Sequence, residues 1–291
     1  MMKGRLFLFI SAVTYGIVPC LSAIAYRGGL NGMTLTFLRS CISLPFLYLI
    51  IRLERRRIKL TYKMLKQVLI LGFFGGTMPI LLLYLSYQYI PTGTATALHF
   101  IYPVVVVVAI ALIYRQRLPR TTVCSVLLVT AGIYMFTELN GFLDPIGAAL
   151  ALGSGFFYGF YIIYMNLSGL EKLDHAVLSF YVTLIMSGSA LVFGLSSGTL
   201  YLAFSLSSWC IAAVISFAVT LCAMPLFQLG VRYCGAAESG IFSALEPVTS
   251  LVLGSLVLGE FMGYSSFIGS ALIIIGVLIV QHKDIGLLLS R

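Results

Sequence analysis

Apolar runs of roughly 20 residues follow one another along almost the whole chain, separated by short gaps that hold glycine, proline, asparagine and charge. A run of that length spans a ~30 Å hydrocarbon core as an α-helix. Inside lipid the backbone must satisfy its own hydrogen bonds, which leaves helices or a closed barrel. The run Val104–Tyr114 lacks the alternating polarity of a barrel strand, so the pattern predicts an all-α polytopic membrane protein. Ten transmembrane helices are expected, near 6–26, 34–51, 67–90, 93–114, 121–137, 145–166, 176–195, 206–230, 235–258 and 265–281. The first run, Leu6–Tyr26, is too long for a signal-peptide core and no A-x-A site follows it, so it reads as a spanning helix.

Composition agrees with that pattern. Of 291 residues 60% are hydrophobic and 9% charged, too little charge to cover the surface of a soluble domain. The net charge of +9 would suit nucleic acid if it were clustered, but the basic residues sit in the gaps between apolar runs. There they orient the chain, and no nucleic-acid partner is expected. With the N-terminus in the cytoplasm, all of the 18 basic residues except Arg27 and Arg39 fall in internal gaps and tails. The positive-inside rule therefore predicts a multi-pass protein of the cell (cytoplasmic) membrane with both termini cytoplasmic. The cluster Arg52–Lys66 can also meet anionic lipid headgroups. Cys20, Cys41, Cys124, Cys210, Cys222 and Cys234 lie in or beside apolar runs without a C-x-x-C pair, and read as small buried hydrophobes; neither a metal nor a cofactor is expected.

A repeat is visible beneath the spans. Pro103 and Gly132 are 29 apart, as are Pro247 and Gly276, and a shift of 144 also pairs Tyr89 with Tyr233 and Gln116 with Glu260. At 143, Tyr15-Gly16 falls on Tyr158-Gly159. The division is 1–140 and 141–291, two five-helix repeats. Five is odd, so the second repeat inserts upside-down relative to the first. Inverted repeats around a midplane site suit alternating access, because exchanging the conformations of the two halves exchanges the open side. This predicts a secondary transporter and not an enzyme.

The pieces Tyr15-Gly16, Tyr158-Gly159, Arg39, Ala244-Leu245-Glu246-Pro247, Leu258-Gly259-Glu260 and Gly276 together resemble the EamA-type transporters of the drug/metabolite transporter superfamily. The resemblance covers essentially the whole chain, with two departures: Tyr15 stands where Trp is more usual, and Arg115-Gln116 where the first half often has Gly-Glu. It implies export of amino acids or related small metabolites through an alternating-access cavity, without ATP. A nucleotide-sugar or sugar-phosphate exchanger is the alternative within transporters, less suited because the spans carry no cluster of Lys and Arg. A scramblase, a sensor or an intramembrane enzyme are the alternatives outside them.

Several residues stand out as candidates. Glu246 sits within the ninth span, where an ionisable group costs at least ~2.5–3.5 kcal/mol on insertion scales. Ser239, Phe242, Ser243, Thr249 and Ser250 surround it at helical spacing, as one mostly polar stripe. The stripe reads as a proton or cation site, or as a carboxylic acid bonded to a neighbouring helix. His99 and Tyr102 share a face of the fourth span, and Tyr102 occupies the repeat position of Glu246. A substrate-binding and proton-relaying pair and a satisfied interior histidine are both open here. Tyr15, Tyr158 and Tyr161 lie deep in the first helix of each half, as a substrate wall or as ordinary packing. Pro103, Pro247 and Pro19 free the carbonyls of His99, Ser243 and Tyr15, and the first two are candidate gating kinks. Arg39 lies ~9 Å inside the second span at 1.5 Å per residue, placed to snorkel, to pair within the protein or to meet a substrate carboxylate.

The enzyme motifs do not survive their context. Gly194-Leu195-Ser196-Ser197-Gly198 matches G-x-S-x-G but lies at a span end, with His175 and His282 assigned to the other side. There is no H-E-x-x-H and no phosphate-binding G-x-x-x-x-G-K-[ST]. The expected partners are an amino-acid-like small molecule, membrane lipids and protons, with the oligomeric state open.

Overall fold

The computed structural model describes residues 2–56, 59–113, 115, 120–138, 144–170, 173–227, 229–230, 233, 242–243, 245–260 and 263–283. Among them the secondary structure is helical, without strands. In chain order the helices are α1 (Met2–Arg27), α2 (Gly32–Leu53), α3 (Tyr62–Ser86), α4 (Thr92–Ile113), α5 (Arg120–Glu138), α6 (Pro145–Ser168), α7 (His175–Ser196), α8 (Leu206–Phe227), α9 (Leu245–Leu258) and α10 (Tyr264–Lys283). By length and composition seven of these can cross a membrane: α1 to α4 and α6 to α8. The expected spans 121–137, 235–258 and 265–281 fall on α5, α9 and α10, whose apolar stretches are shorter: Val123–Gly132, Leu245–Leu258 and Phe267–Ile279. The expected start of the ninth span, and the Asn140-Gly141 gap, lie outside the described residues.

Helix starts follow their polar caps. Asn31, Thr61, Asp174 and Ser205 accept backbone N–H groups at the starts of α2, α3, α7 and α8, satisfying donors that have no partner within the helix. Bare Leu112, Val192, Leu256 and Phe267 project from the bundle. Water would penalise such a surface, whereas hydrocarbon does not. The interior is aliphatic and aromatic, gathered around Leu35, Leu98, Phe100 and Ile273.

The gaps collect at two opposite ends. At one, Asn31 donates to the Thr199 carbonyl (2.7 Å), Ser208 to Ala25 (2.9 Å), Arg27 to Leu258 (3.1 Å) and Tyr201 to Gly29. Phe204 and Trp209 stack there at 4.8 Å. Glu260, past the end of α9, accepts from both Thr92 N (3.0 Å) and Thr92 Oγ1 (3.1 Å), sealing the start of α4. At the other end Arg56 pairs with Asp174 (3.3 Å) and Gln67 donates to the Ser168 carbonyl (3.3 Å).

The two halves pack in matching registers. A Cβ at Gly132 would lie 2.6 Å from the Gly269 carbonyl, and one at Gly276 3.0 Å from the Ser125 carbonyl. A Cβ at Gly16 would meet the carbonyl of Glu246 (2.7 Å) and Thr249, and one at Gly159 the carbonyl of Tyr102 (3.5 Å) and Val105. In each comparison the partner positions are 144 residues apart. Helix neighbours match likewise: α1 packs on α9 as α6 does on α4, and α3 on α7 as α8 does on α2. Both α3 and α8 contain a π-helical segment, Leu71–Thr77 and Ala218–Ala223. A π segment is an extra residue in a helix and is frequent at functional sites. Neither segment was expected, because nothing in a uniformly apolar run marks a wider turn.

Candidate solute-binding site

Between α1, α2, α3, α4, α6, α8 and the approach to α9 lies a cavity of about 200 Å³. Its polar lining comes from Ser11, Tyr15, Arg39, Tyr84, Tyr87, His99, Tyr102, Tyr158, Ser243 and Glu246. The sequence separates these groups by more than 200 positions; close helix packing reunites them. Gly16 lets α1 approach α9 at Glu246, so Tyr15, one residue earlier, and Glu246 reach the same space.

Residues around His99 are set by a break in α4. Pro103 has no N–H, and the helix is interrupted at Phe100-Ile101 between the helical parts Thr92–His99 and Tyr102–Ile113. The freed His99 carbonyl packs directly on Gly155, where a Cβ would collide with it. His99 Nδ1 lies 2.7 Å from Ser154 Oγ, and Ser154 spends its only proton on the Ala151 carbonyl (2.8 Å). The imidazole therefore donates from Nδ1, and Nε2 is the acceptor of the neutral ring. Tyr102 and Tyr158 meet edge to face at 4.7 Å, and His99 lies 5.8 and 5.6 Å from their rings.

Arg39 does not snorkel outward. Its Nη1 donates to the Tyr84 hydroxyl (3.2 Å) and its guanidinium sits 5.9 Å from the Tyr84 ring centre. It thus has a phenol partner and faces the same cavity as Glu246, within electrostatic range of that carboxyl. One cationic and one acidic side chain on a single small cavity, with phenols between them, can hold a molecule carrying both charges.

Not every expected residue shares this space. Tyr161 stacks on Tyr158 (5.9 Å) but lines a second cavity of about 180 Å³, bounded by α2, α3, α6, α7 and α8. Arg39 and Tyr158 line both. Phe242 is half-buried and Pro103 and Pro247 are buried, none lining either cavity. The expected single polar stripe divides: Ser243 and Glu246 face the cavity, Thr249 lies against Gly16 on α1, and Ser250 Oγ meets Thr96 Oγ1 at 3.2 Å on α4. Residues three, four and seven apart keep to one side of a helix, but successive turns of that side meet different neighbours, the cavity at Glu246, α1 at Thr249 and α4 at Ser250. Ser239 lies outside the described residues. Sequence reasoning missed Tyr84, Tyr87 and Ser154; each is an ordinary residue in an apolar run, with no spacing to betray its partner.

Among the described residues no group of three His, Cys, Asp or Glu side chains is placed to hold a metal ion.

The pattern of the EamA-like transporter family matches residues 2–137 and again residues 145–281. A protein of Archaeoglobus fulgidus named an uncharacterised transporter is 24% identical, over 97% of this chain and 100% of its own length. One of Synechocystis, named likewise, is 25% identical over 71% of this chain and 64% of its own. A permease-like protein of Bacillus subtilis is 39% identical over a short stretch, 21% of this chain and 78% of its own. A solved chain, described only as the crystal structure of a protein, superposes with a TM-score of 0.68 at 16% identity over 99% of both chains. At that identity the likeness is one of fold.

Proposed function

Because this chain belongs to the EamA-like transporter family, whose members are integral membrane transporters, we propose that it is a secondary exporter of amino acids or related zwitterionic metabolites. The observation that carries this reading is the placing of Arg39 and Glu246 on one cavity between the helices. A substrate carboxylate meets Arg39, and its ammonium meets Glu246 and the faces of Tyr15, Tyr102 and Tyr158. The cavity volume of about 200 Å³ suits one small solute.

Alternating access follows from ten spans arranged as two inverted repeats, 1–140 and 141–291, with both termini cytoplasmic. The matching registers of α1–α9 with α6–α4, the paired π segments and the double family match support this arrangement. So does the gathering of Arg56, Lys59 and Lys63 at the end where Arg56 meets Asp174. In this conformation Glu260, Thr92 and Arg27 close the end we assign to the outside. Glu246 takes up a proton when substrate leaves, and His99 Nε2 relays it. The break before Pro103 and the backbone bond that Pro247 cannot make supply the hinges about which the halves rock.

The test is counterflow in proteoliposomes of purified protein, loaded in turn with each common amino acid and with a sugar phosphate. Exchange of a labelled neutral amino acid, lost in Arg39→Gln, is the expected result. Exchange of the sugar phosphate alone would overturn it.

A further inference from the structure

The second cavity has chemistry of its own. Like the central one it has Arg39 on its wall, but no Asp or Glu lines it, and its other polar groups are hydroxyls. Those hydroxyls differ in what they can still offer. Ser40 donates to the Thr36 carbonyl (2.8 Å) and Ser43 to the Arg39 carbonyl (2.7 Å). Ser43 having spent its proton, Thr220 is the donor in their 2.7 Å contact. Ser179 reaches only a methionine sulfur, at 3.9 Å, a weak acceptor cheaply given up. Thr183 makes no hydrogen bond among those described. The groups with donors to spare are therefore Arg39, which has five N–H and gives one to Tyr84, Thr183, Ser179 and the phenols of Tyr158 and Tyr161, which donate in none of the hydrogen bonds described.

Donors without an acidic partner select an anion. We infer that this cavity is a second binding station, for a small monocarboxylate or for the carboxylate end of a zwitterion, sharing Arg39 with the central cavity. The inference rests on the transporter reading above and goes beyond it: the solute has two resting places along its path. With four N–H left beyond the one given to Tyr84, Arg39 can hold a carboxylate in each cavity at once, and it keeps hold of one as a solute passes between them while the ammonium leaves Glu246 behind. A solute without an ammonium offers the Glu246 carboxyl no cationic partner in the central cavity, whereas the second has no acidic group to satisfy. The site also lies against the π segments of α3 and α8, through Gly75, Gly76 and Thr220, so its shape is tied to the two irregular helices.

The experiment is equilibrium dialysis of the full chain in lipid nanodiscs with radiolabelled L-alanine and, separately, radiolabelled propionate. The parent is expected to bind two equivalents of alanine and one of propionate. Thr183→Phe, which fills the second cavity, should reduce these to one and none. Ser179→Leu fills it from another position and should do the same, so poor folding of one variant does not decide the matter. Glu246→Gln should leave the propionate site intact. An alanine count of one in the parent, or propionate binding that both filling variants leave unchanged, would overturn the second station. If alanine is still exchanged by liposomes in that case, the transport reading stands alone. If the parent neither binds nor exchanges alanine, both readings fall.

Discussion

Gly16 lies so close to Glu246 that a Cβ on it would stand 2.7 Å from the Glu246 carbonyl and 2.5 Å from Thr249 Cβ. One hydrogen in place of a methyl group thus sets the distance between α1 and α9, and with it the position of the acidic wall of the central cavity. In the matching contact Gly159 faces Tyr102 and Val105 with more room, at 3.5 and 3.0 Å. The tighter contact is the one that carries the carboxylate.

Substituting these glycines should tell the two contacts apart experimentally. Gly16→Ala forces two backbones apart, an overpacking cost of roughly 1–3 kcal/mol. Gly159→Ala meets a side-chain methyl that can give way, so it should cost less. Thermal unfolding of the two purified variants, compared with the parent, checks the order. Equal losses would mean that the α1–α9 contact is not the tighter one.

Glu246→Gln keeps shape but fixes a neutral group. Accumulation of substrate driven by an imposed pH gradient should vanish, while exchange without a gradient persists at a reduced rate. Proteoliposome uptake with and without the gradient measures both. Full gradient-driven accumulation by the variant would make Glu246 a structural hydrogen-bonding group.

Ser154 is the only described hydrogen-bond partner of the His99 ring. Ser154→Ala leaves a buried N–H unpaired, at a cost of about 1–3 kcal/mol. Ser154→Thr keeps the hydroxyl and should restore most of the lost stability and transport. Failure of Thr to rescue would assign the effect to packing against Ala151 rather than to the imidazole.

The contact between Glu260 and Thr92 should hold its end of the bundle shut. Hydrogen bonds to a charged group contribute about 1.5–3 kcal/mol, so Glu260→Ala should raise the open population at that end by ~10-fold or more. Cys20 is buried in α1, and its modification by a water-soluble maleimide, followed by peptide mass spectrometry, reports that opening. A modification rate no higher than the parent's would deny Glu260 this role.

Orientation is open to direct measurement. A cysteine placed at Ser197 should react with a membrane-impermeant reagent from outside intact cells, and one placed at Arg56 should not. These positions lie at the two opposite ends of the bundle, Ser197 beside Thr199 and Arg56 beside Asp174. The reverse labelling would invert the assignment of inside and outside.

The helical architecture was legible because the signal for it is redundant: a span can lose several apolar residues and remain one. The family was legible for the same reason, through several short motifs spread over the chain. Glu246, His99, Tyr15, Tyr102 and Tyr158 could be picked out as a set because polar side chains are conspicuous among Val, Leu and Ile. Their partners could not. Tyr84 and Ser154 matter through tertiary contacts to Arg39 and His99, and no periodicity within one helix encodes a contact with another. The second cavity was invisible for a further reason: its walls are small residues and hydroxyls whose significance lies in which protons are already spent.

The stacked pair of Phe204 and Trp209 gives the molecule an optical property. The chain contains one tryptophan, and it lies at the end where Glu260 meets Thr92, its backbone N–H bonded to Ser205. Ser205 in turn donates its backbone N–H to the Gly28 carbonyl at 3.1 Å. Indole emission is therefore a label-free signal from a single end of the bundle, undiluted by any second tryptophan. Light emitted by unmodified protein in its native lipid can follow the movement of that end in real time.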